Sequence, residues 1–370
     1  MSHRDSLIKK NRKLSKPMDL MNVGFVGNIG TAGGNPAVGG GFWKELGRQE
    51  LGDTANTITV SGLTTHKYYQ VLYYALSSGS IKSNLRMNNI STGQIYSQRT
   101  SLGGATDVPA VSQNQVLLNA DGAAHQFGRA FVSNISGEEK LVISHGVHQD
   151  SAGAGTPCSR MEGVGKMVPS PLSTNITQFN LVNTDSGLFD TGSQMVVLGW
   201  EDTVTHALTD NFWKYGNRVE VGTATDQIDI GSFGSHEWLL VRFSYIATGG
   251  SVNLGLYFNN NATSGENASN RSINGGADST QSSANKIFIS GGAGINMFGT
   301  MIIRNQSDKN KLCIYHDVTN DIVGAGNDTG RTEGAVKWAN TSSQITTINC
   351  ANSGGGSYDV GSFIEVWYAD

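Results

Sequence analysis

Two stretches of this chain carry the same alternation of apolar and polar positions. From Lys140 it reads Leu-Val-Ile-Ser-His-Gly-Val-His-Gln-Asp, and 171 residues later, from Lys311, it reads Leu-Cys-Ile-Tyr-His-Asp-Val-Thr-Asn-Asp. A strand of period two places Leu141, Ile143, His145 and Val147 on one face, and Leu312, Ile314, His316 and Val318 repeat that face residue for residue. The alternate positions Val142, Ser144, Gly146 and His148 change to Cys313, Tyr315, Asp317 and Thr319. A sheet with one packed and one variable side gives this pattern, so the shared face is predicted to be the core face. By the same reading Tyr69, Val71, Tyr73 and Ala75 within 68–76, and Leu239, Val241, Phe243 and Tyr245 within 238–246, point inward. Asp at Ile143 or Val241 is then expected to unfold its module, and loss of His148 to matter far less.

The match extends outward in nearly constant register. Phe42-Trp43-Lys44 pairs with Phe212-Trp213-Lys214, Asn88-Asn89 with Asn259-Asn260, and Gly103-Gly104-Ala105 with Gly275-Gly276-Ala277. Further along, Arg160-x-Glu162-Gly163 pairs with Arg331-x-Glu333-Gly334, and Asp190-x-Gly192-Ser193 with Asp359-x-Gly361-Ser362. A repeat of this length is a domain duplication and not a local motif. The predicted organisation is an N-terminal arm over 1–41, a first β-sandwich module over 42–205 and a second over 206–370. Additional strands are predicted at 56–61, 84–88, 127–133, 175–182 and 193–199, with repeat partners at 226–231, 255–259, 298–304, 344–350 and 362–368. The fold class predicted is all-β, two tandem jelly-roll-like antiparallel β-sandwiches behind an extended N-terminal arm.

Composition agrees with many short strands joined by tight turns: 48 Gly, only 6 Pro and 15% charged residues. A net charge of −4 supplies no field toward nucleic acid or an anionic membrane, so neither is an expected partner. Of the three cysteines, Cys313 replaces Val142 and Cys350 replaces Leu181 in the repeat, which reads them as small hydrophobes; with Cys158 they make no disulfide framework. Nothing near the N-terminus has the apolar core and cleavage site of a signal peptide, and the expectation is synthesis in a host cytoplasm. The arm carries Arg4, Lys9, Lys10, Arg12, Lys13 and Lys16, followed by apolar Leu20, Met21, Val23, Phe25, Val26 and Ile29. That is more apolar than a solubilising tail needs, and it reads as an anchor that orders on a partner.

Chemistry is sparse. His145-x-x-His148-x-Asp150 could suggest a metal, but His145 and His148 point to opposite sides of a strand, and the second copy has Thr319 in place of His148. No metal or cofactor is expected, and His145 and His316 read as buried, hydrogen-bonded core histidines. Arg160 with Glu162, and Arg331 with Glu333, share a strand face and read as duplicated structural ion pairs. No nucleophile elbow, phosphate loop or zinc-spaced cysteine set occurs, so no catalytic residue is assigned and an enzyme is not expected. Tyr68, Trp238, Tyr257 and Trp367 are the aromatics predicted to face a ligand, where they could stack on sugar rings.

At Trp43 to Gly47, Lys140 to His145, Ala152 to Gly155, Lys337 to Thr346 and the closing Gly-Ser-x-x-x-Val at 192–197 and 361–366, the chain resembles a β-sandwich module of virion proteins of tailed, especially marine, bacteriophages. The first copy departs from the pattern at Met167-Val-Pro-Ser-Pro, where the second has Trp338-Ala-Asn-Thr-Ser. The resemblance implies a component of the particle exterior, a head decoration or a tail fibre or spike. The partners it implies are other virion proteins of the capsid or tail and further copies of itself, a trimer or another symmetric oligomer. A host-receptor or carbohydrate-binding module recognising a surface glycan is the second reading. A double jelly-roll capsid protein, similar in its two tandem modules behind an arm, is the third.

Overall fold

The computed structural model describes residues 43–120, 125–200, 211–263, 265–273, 275–289, 296–320 and 329–370. The predicted anchor, with Arg4, Lys9, Lys10, Arg12, Lys13, Lys16, Leu20 and Phe25, lies outside them.

The described residues form strands and turns only. The first module holds β1 (Lys44–Glu50), β2 (Thr57–Ser61), β3 (Tyr68–Leu76), β4 (Ser83–Met87), β5 (Tyr96–Leu102) and β6 (Val108–Gln113). It continues with β7 (Val116–Asn119), β8 (His125–Ser133), β9 (Lys140–Gln149), β10 (Ser159–Met167), β11 (Gln178–Asn183) and β12 (Gln194–Trp200). The second holds β13 (Lys214–Glu220), β14 (Gln227–Gly231), β15 (Trp238–Thr248), β16 (Leu254–Phe258), β17 (Asn267–Ile273), β18 (Ser279–Ala284) and β19 (Ile287–Phe288). It closes with β20 (Asn296–Arg304), β21 (Lys311–Asn320), β22 (Thr329–Trp338), β23 (Thr347–Asn352), β24 (Ser357–Tyr358) and β25 (Phe363–Ala369).

Each module is an antiparallel β-sandwich of jelly-roll-like topology. Its large sheet runs β1-β12-β3-β8-β9-β10-β5-β6 in the first copy and β13-β25-β15-β20-β21-β22-β17-β18 in the second. The small sheets are β2-β11-β4-β7 and β14-β23-β16-β19. The strand predictions hold to within a few residues. The face prediction holds for β3 and β15: Tyr69, Val71, Tyr73 and Ala75 lie in one sandwich core, and Leu239, Val241, Phe243 and Tyr245 in the other.

For β9 and β21 the prediction is reversed. Val142 packs in the first core, and Cys313 and Tyr315 in the second, so the variable positions point inward. His148 is buried, with Nδ1 2.8 Å from Asn119 Oδ1. The inner face looks polar because Tyr73 fills the space above it: a Cβ at Gly146 would stand 2.9 Å from the Tyr73 hydroxyl, and one at Gly128 would also overlap that phenol. The shared face points away from each sandwich. Ile143, predicted to be core, is 42% exposed, whereas its repeat partner Ile314 is 1% exposed.

Ile314 is buried because the two large sheets stack outer face on outer face. Leu72, Tyr74, Phe127, Val147 and Leu198 of the first module join Trp238, Leu240, Ile302, Leu312 and Ile314 of the second in a third apolar cluster. Phe127 meets Trp238 with ring centroids 5.9 Å apart, and Arg304 lies between Trp238 (4.6 Å) and Tyr74 (5.2 Å). The layers therefore run small sheet, large sheet, large sheet, small sheet.

Paired polar staples explain several motifs common to both copies. Asn134 takes the Ile176 amide and gives to His66 O, as Asn305 takes the Ile345 amide and gives to His236 O. Lys140 Nζ donates to Ile135 O and Leu172 O, and Lys311 Nζ to Ser307 O, Lys309 O and Asn340 O. Ser193 and Ser362 each accept a backbone amide near the end of the long strand, at Leu76 and Ile246. Cys158, Cys313 and Cys350 are buried free thiols.

Candidate functional site

The stacked sheets cross antiparallel. Asn310 Nδ2, just before β21, donates to Gln149 Oε1 at the end of β9 (2.9 Å), while the mid-strand rings of His145 and His316 stand 4.4 Å apart. The histidines thus meet where β9 crosses β21. On one side of them Val147, Leu312 and Ile314 are buried; on the other their counterparts Val318, Leu141 and Ile143 are exposed, so the sheets are packed on one side of the pair and open on the other.

Strand register adds carboxylates. Glu162 on β10 lies opposite His145 on β9, and Glu333 on β22 lies opposite His316 on β21. Both copies therefore bring a His–Glu pair to the same place. His145 Nε2 is 3.9 Å from Glu162 Oε1, the two carboxyls hydrogen-bond each other, and one ligating atom each from His145, Glu162 and His316 falls within 4.8 Å of the others.

Arginines frame the centre. Arg160 donates to Glu162, to Glu333 Oε2 (3.4 Å) and through Nε and Nη2 to Asp278 Oδ1 (3.1 and 2.8 Å), which ties the first module to the β17–β18 turn of the second. Its counterpart Arg331 donates to its own Glu333 and is 58% exposed, against 3% for the Arg160 side chain. The ion pairs within each copy are as predicted; the links from Arg160 across the interface are not visible in a one-copy reading. Arg129 Nη2 lies 3.3 Å from His316 Nδ1, with its guanidinium 5.2 Å from the Phe131 ring centroid.

Burial sets the protonation. It pushes His316 down to about 3, helped by Arg129, and drives His145 well below the usual histidine range, helped by His316 and Arg129. Both rings are neutral at physiological pH. Burial and then the hydrogen bond with Glu333 push Glu162 up to about 8; Glu333 is held low against its own burial by that bond, so the pair shares one proton. His145 is buried, as predicted, but His316 is only half-buried, and both sit between the modules and not in a sandwich core. Against the hydrogen-bonded state expected, neither ring nitrogen of His145 has a hydrogen-bond partner among the described residues.

The predicted ligand-facing aromatics are scattered. Trp238, at 0% exposure, is in the interface between modules and is unavailable to a ligand. Tyr257 is buried too, its hydroxyl accepting from Gln227 Nε2 at 3.1 Å. Tyr68 and Trp367 stay half-buried, Tyr68 stacked on Trp200 at 5.1 Å and Trp367 edge-on to Tyr215 at 5.3 Å. The His–Glu centre is missed by a reading of one strand at a time. Its signal is that Ile-x-His-x-Val and Arg-x-Glu-Gly both persist in the two copies, which places a His and a Glu on paired strands of each.

No protein-family model matches the chain, and no curated protein matches it. Among solved structures it aligns with domains LG4-5 of the mouse laminin alpha1 chain at 10% identity, over 91% of this chain and 90% of that one, with a TM-score of 0.18. It also aligns with the LG1-3 region of the laminin alpha2 chain at 7% identity, over 85% of this chain and 64% of that one, with a TM-score of 0.19. Superpositions at this level say nothing about role.

Proposed function

We propose that this protein is a structural component of a virus-particle exterior, a head decoration or a fibre or spike element. In this reading residues 1–41 anchor it to capsid or tail proteins, and it assembles with further copies of itself, as a trimer or another closed oligomer. The observation that carries the reading is the strip formed by Leu141 and Ile143 on β9 and Val164 on β10, each at least 42% exposed, with Val164 directly opposite Ile143 in the strand register. Exposed apolar residues contiguous on one sheet face favour a protein contact. The copies share an apolar cluster between their large sheets, which joins them into one unit. The test is mass photometry of the full chain and of the Ile143→Asp, Val164→Asp double variant, with circular dichroism to confirm the fold. A closed oligomer that becomes a folded monomer is expected; a wild-type protein that is monomeric at micromolar concentration overturns the assembly reading.

A second reading, binding to a surface glycan, is favoured by the aromatic pairs Tyr68 with Trp200 and Tyr215 with Trp367, in which Tyr68, Trp200 and Trp367 are half-buried and Tyr215 is 54% exposed, so that ring surface is presented to solvent. Glycan binding that is lost in Trp367→Ala supports it, and an array with no bound glycan removes it.

A further inference from the structure

We propose that His145, Glu162 and His316 hold a divalent transition-metal ion of the zinc class between the two modules, with Glu333 completing the site. Three observations converge on it. Imidazole and carboxylate donors from β9, β10 and β21 already lie within 4.8 Å of one another. Tetrahedral bonds of about 2.0–2.2 Å place ligand atoms roughly 3.3 Å apart, so closure needs side-chain movements on the order of 1 Å. His145 is 3% exposed and neither ring nitrogen has a partner among the described residues, which leaves a lone pair facing the cluster unused. Finally, Glu162 and Glu333 touch, and two carboxyl groups in contact form a place where a cation is favoured.

A dication with two carboxylates and two neutral imidazoles is neutral, and Arg160 keeps Asp278 as a counter-ion at 2.8 Å, while Arg129 and Arg331 stay as positive charges beside the site and oppose the metal. The mixed N and O donor set suits zinc, cobalt, nickel or copper better than magnesium or calcium, which want oxygen ligands alone. The ion has a way in, because the sheets part on the side of Ile143 and Val318 and His316 is only half-buried.

Arg129 is the internal competitor. A guanidinium only donates, so at 3.3 Å it holds the Nδ1 lone pair of His316, and the metal must displace it or take the other nitrogen after a change of tautomer. Removing Arg129 should therefore tighten the site, whereas a purely structural cluster would show no metal affinity to tighten.

The experiment uses the full chain stripped with EDTA and titrated with Zn²⁺ by calorimetry and with Co²⁺ by visible absorption. Near-UV circular dichroism and tryptophan emission confirm folding of each variant. One ion per chain is expected, with tetrahedral cobalt bands and a rise in Tm on loading. Affinity should fall at least 10-fold in His145→Gln and in His316→Gln, and rise in Arg129→Met. Because either histidine variant could perturb the interface, Glu162→Gln, which keeps the volume, serves as the second variant and should also lose affinity. No saturable binding of Zn²⁺ or Co²⁺ at 1:1, or binding that is unchanged in a folded His145→Gln, His316→Gln double variant, overturns the proposal.

Discussion

At the scale of single residues, His148 and Ile143 show how polarity can mislead about burial. His148 points into the sandwich, where its bond to Asn119 is shielded from water, while Ile143 points outward on the open side of the module interface. Replacing His148 with Ala should therefore destabilise the first module by about 1–3 kcal/mol, because Asn119 Oδ1 loses its contact in a buried setting while Nδ2 keeps Val147 O. Chemical denaturation of that variant checks this, and a loss within a few tenths of a kcal/mol would put His148 outside. The alternation itself was legible in the sequence, but its direction was not. Gly128, Gly146 and Ser144 look like solvent-facing positions, and they are small because Tyr73 and the neighbouring strands need their space. Trp238 misleads in the opposite way: an aromatic at a strand start resembles a ligand platform, and it is the centre of the contact with Phe127 and Arg304.

At the scale of elements, the duplication gives matched positions whose surroundings differ in one side chain. Gly163 on β10 and Gly334 on β22 occupy the same place in the two copies. A Cβ at Gly163 meets Ser144 Oγ at 3.0 Å, whereas one at Gly334 would overlap the ring of Tyr315, the repeat partner of Ser144. Tyr315 is buried and its hydroxyl is bonded to Ile289 O, so it has little room to move. Gly334→Ala should cost about 1–3 kcal/mol and Gly163→Ala less than about 1 kcal/mol, read as separate urea midpoints. Equal costs would mean that the copies do not superpose at this strand. Strand existence and repeat register were readable from period-two patterning, and the staples at Asn134/Asn305 and Lys140/Lys311 show why those polar residues repeat. Edge strands such as β6 and β18 were not readable, since their exposed residues leave no apolar face to detect.

For the whole molecule, the central claim is that the face repeated most faithfully along the chain serves contact between the modules and not either sandwich core. An apolar outer face is indistinguishable in sequence from an inner one when a second sheet covers it, which is why the reading of one module at a time inverted β9 and β21. The same geometry carries the candidate site, because the two His–Glu pairs meet only once the modules stack. The direct test sets Ile143→Asp beside Ile314→Asp in calorimetric unfolding of the full chain. These residues share one position in the repeat, one exposed and the other enclosed by the facing sheet. Extrapolated to low chain concentration, where self-assembly adds no stability, the wild type and Ile143→Asp should each unfold in a single transition at nearly the same Tm. Ile314→Asp places an unpaired charge in the interface at a cost on the order of 3 kcal/mol, and should lower Tm and separate the modules into two transitions. If Ile143→Asp lowers Tm as much as Ile314→Asp, the shared face lies in the sandwich cores and the stacked arrangement is contradicted.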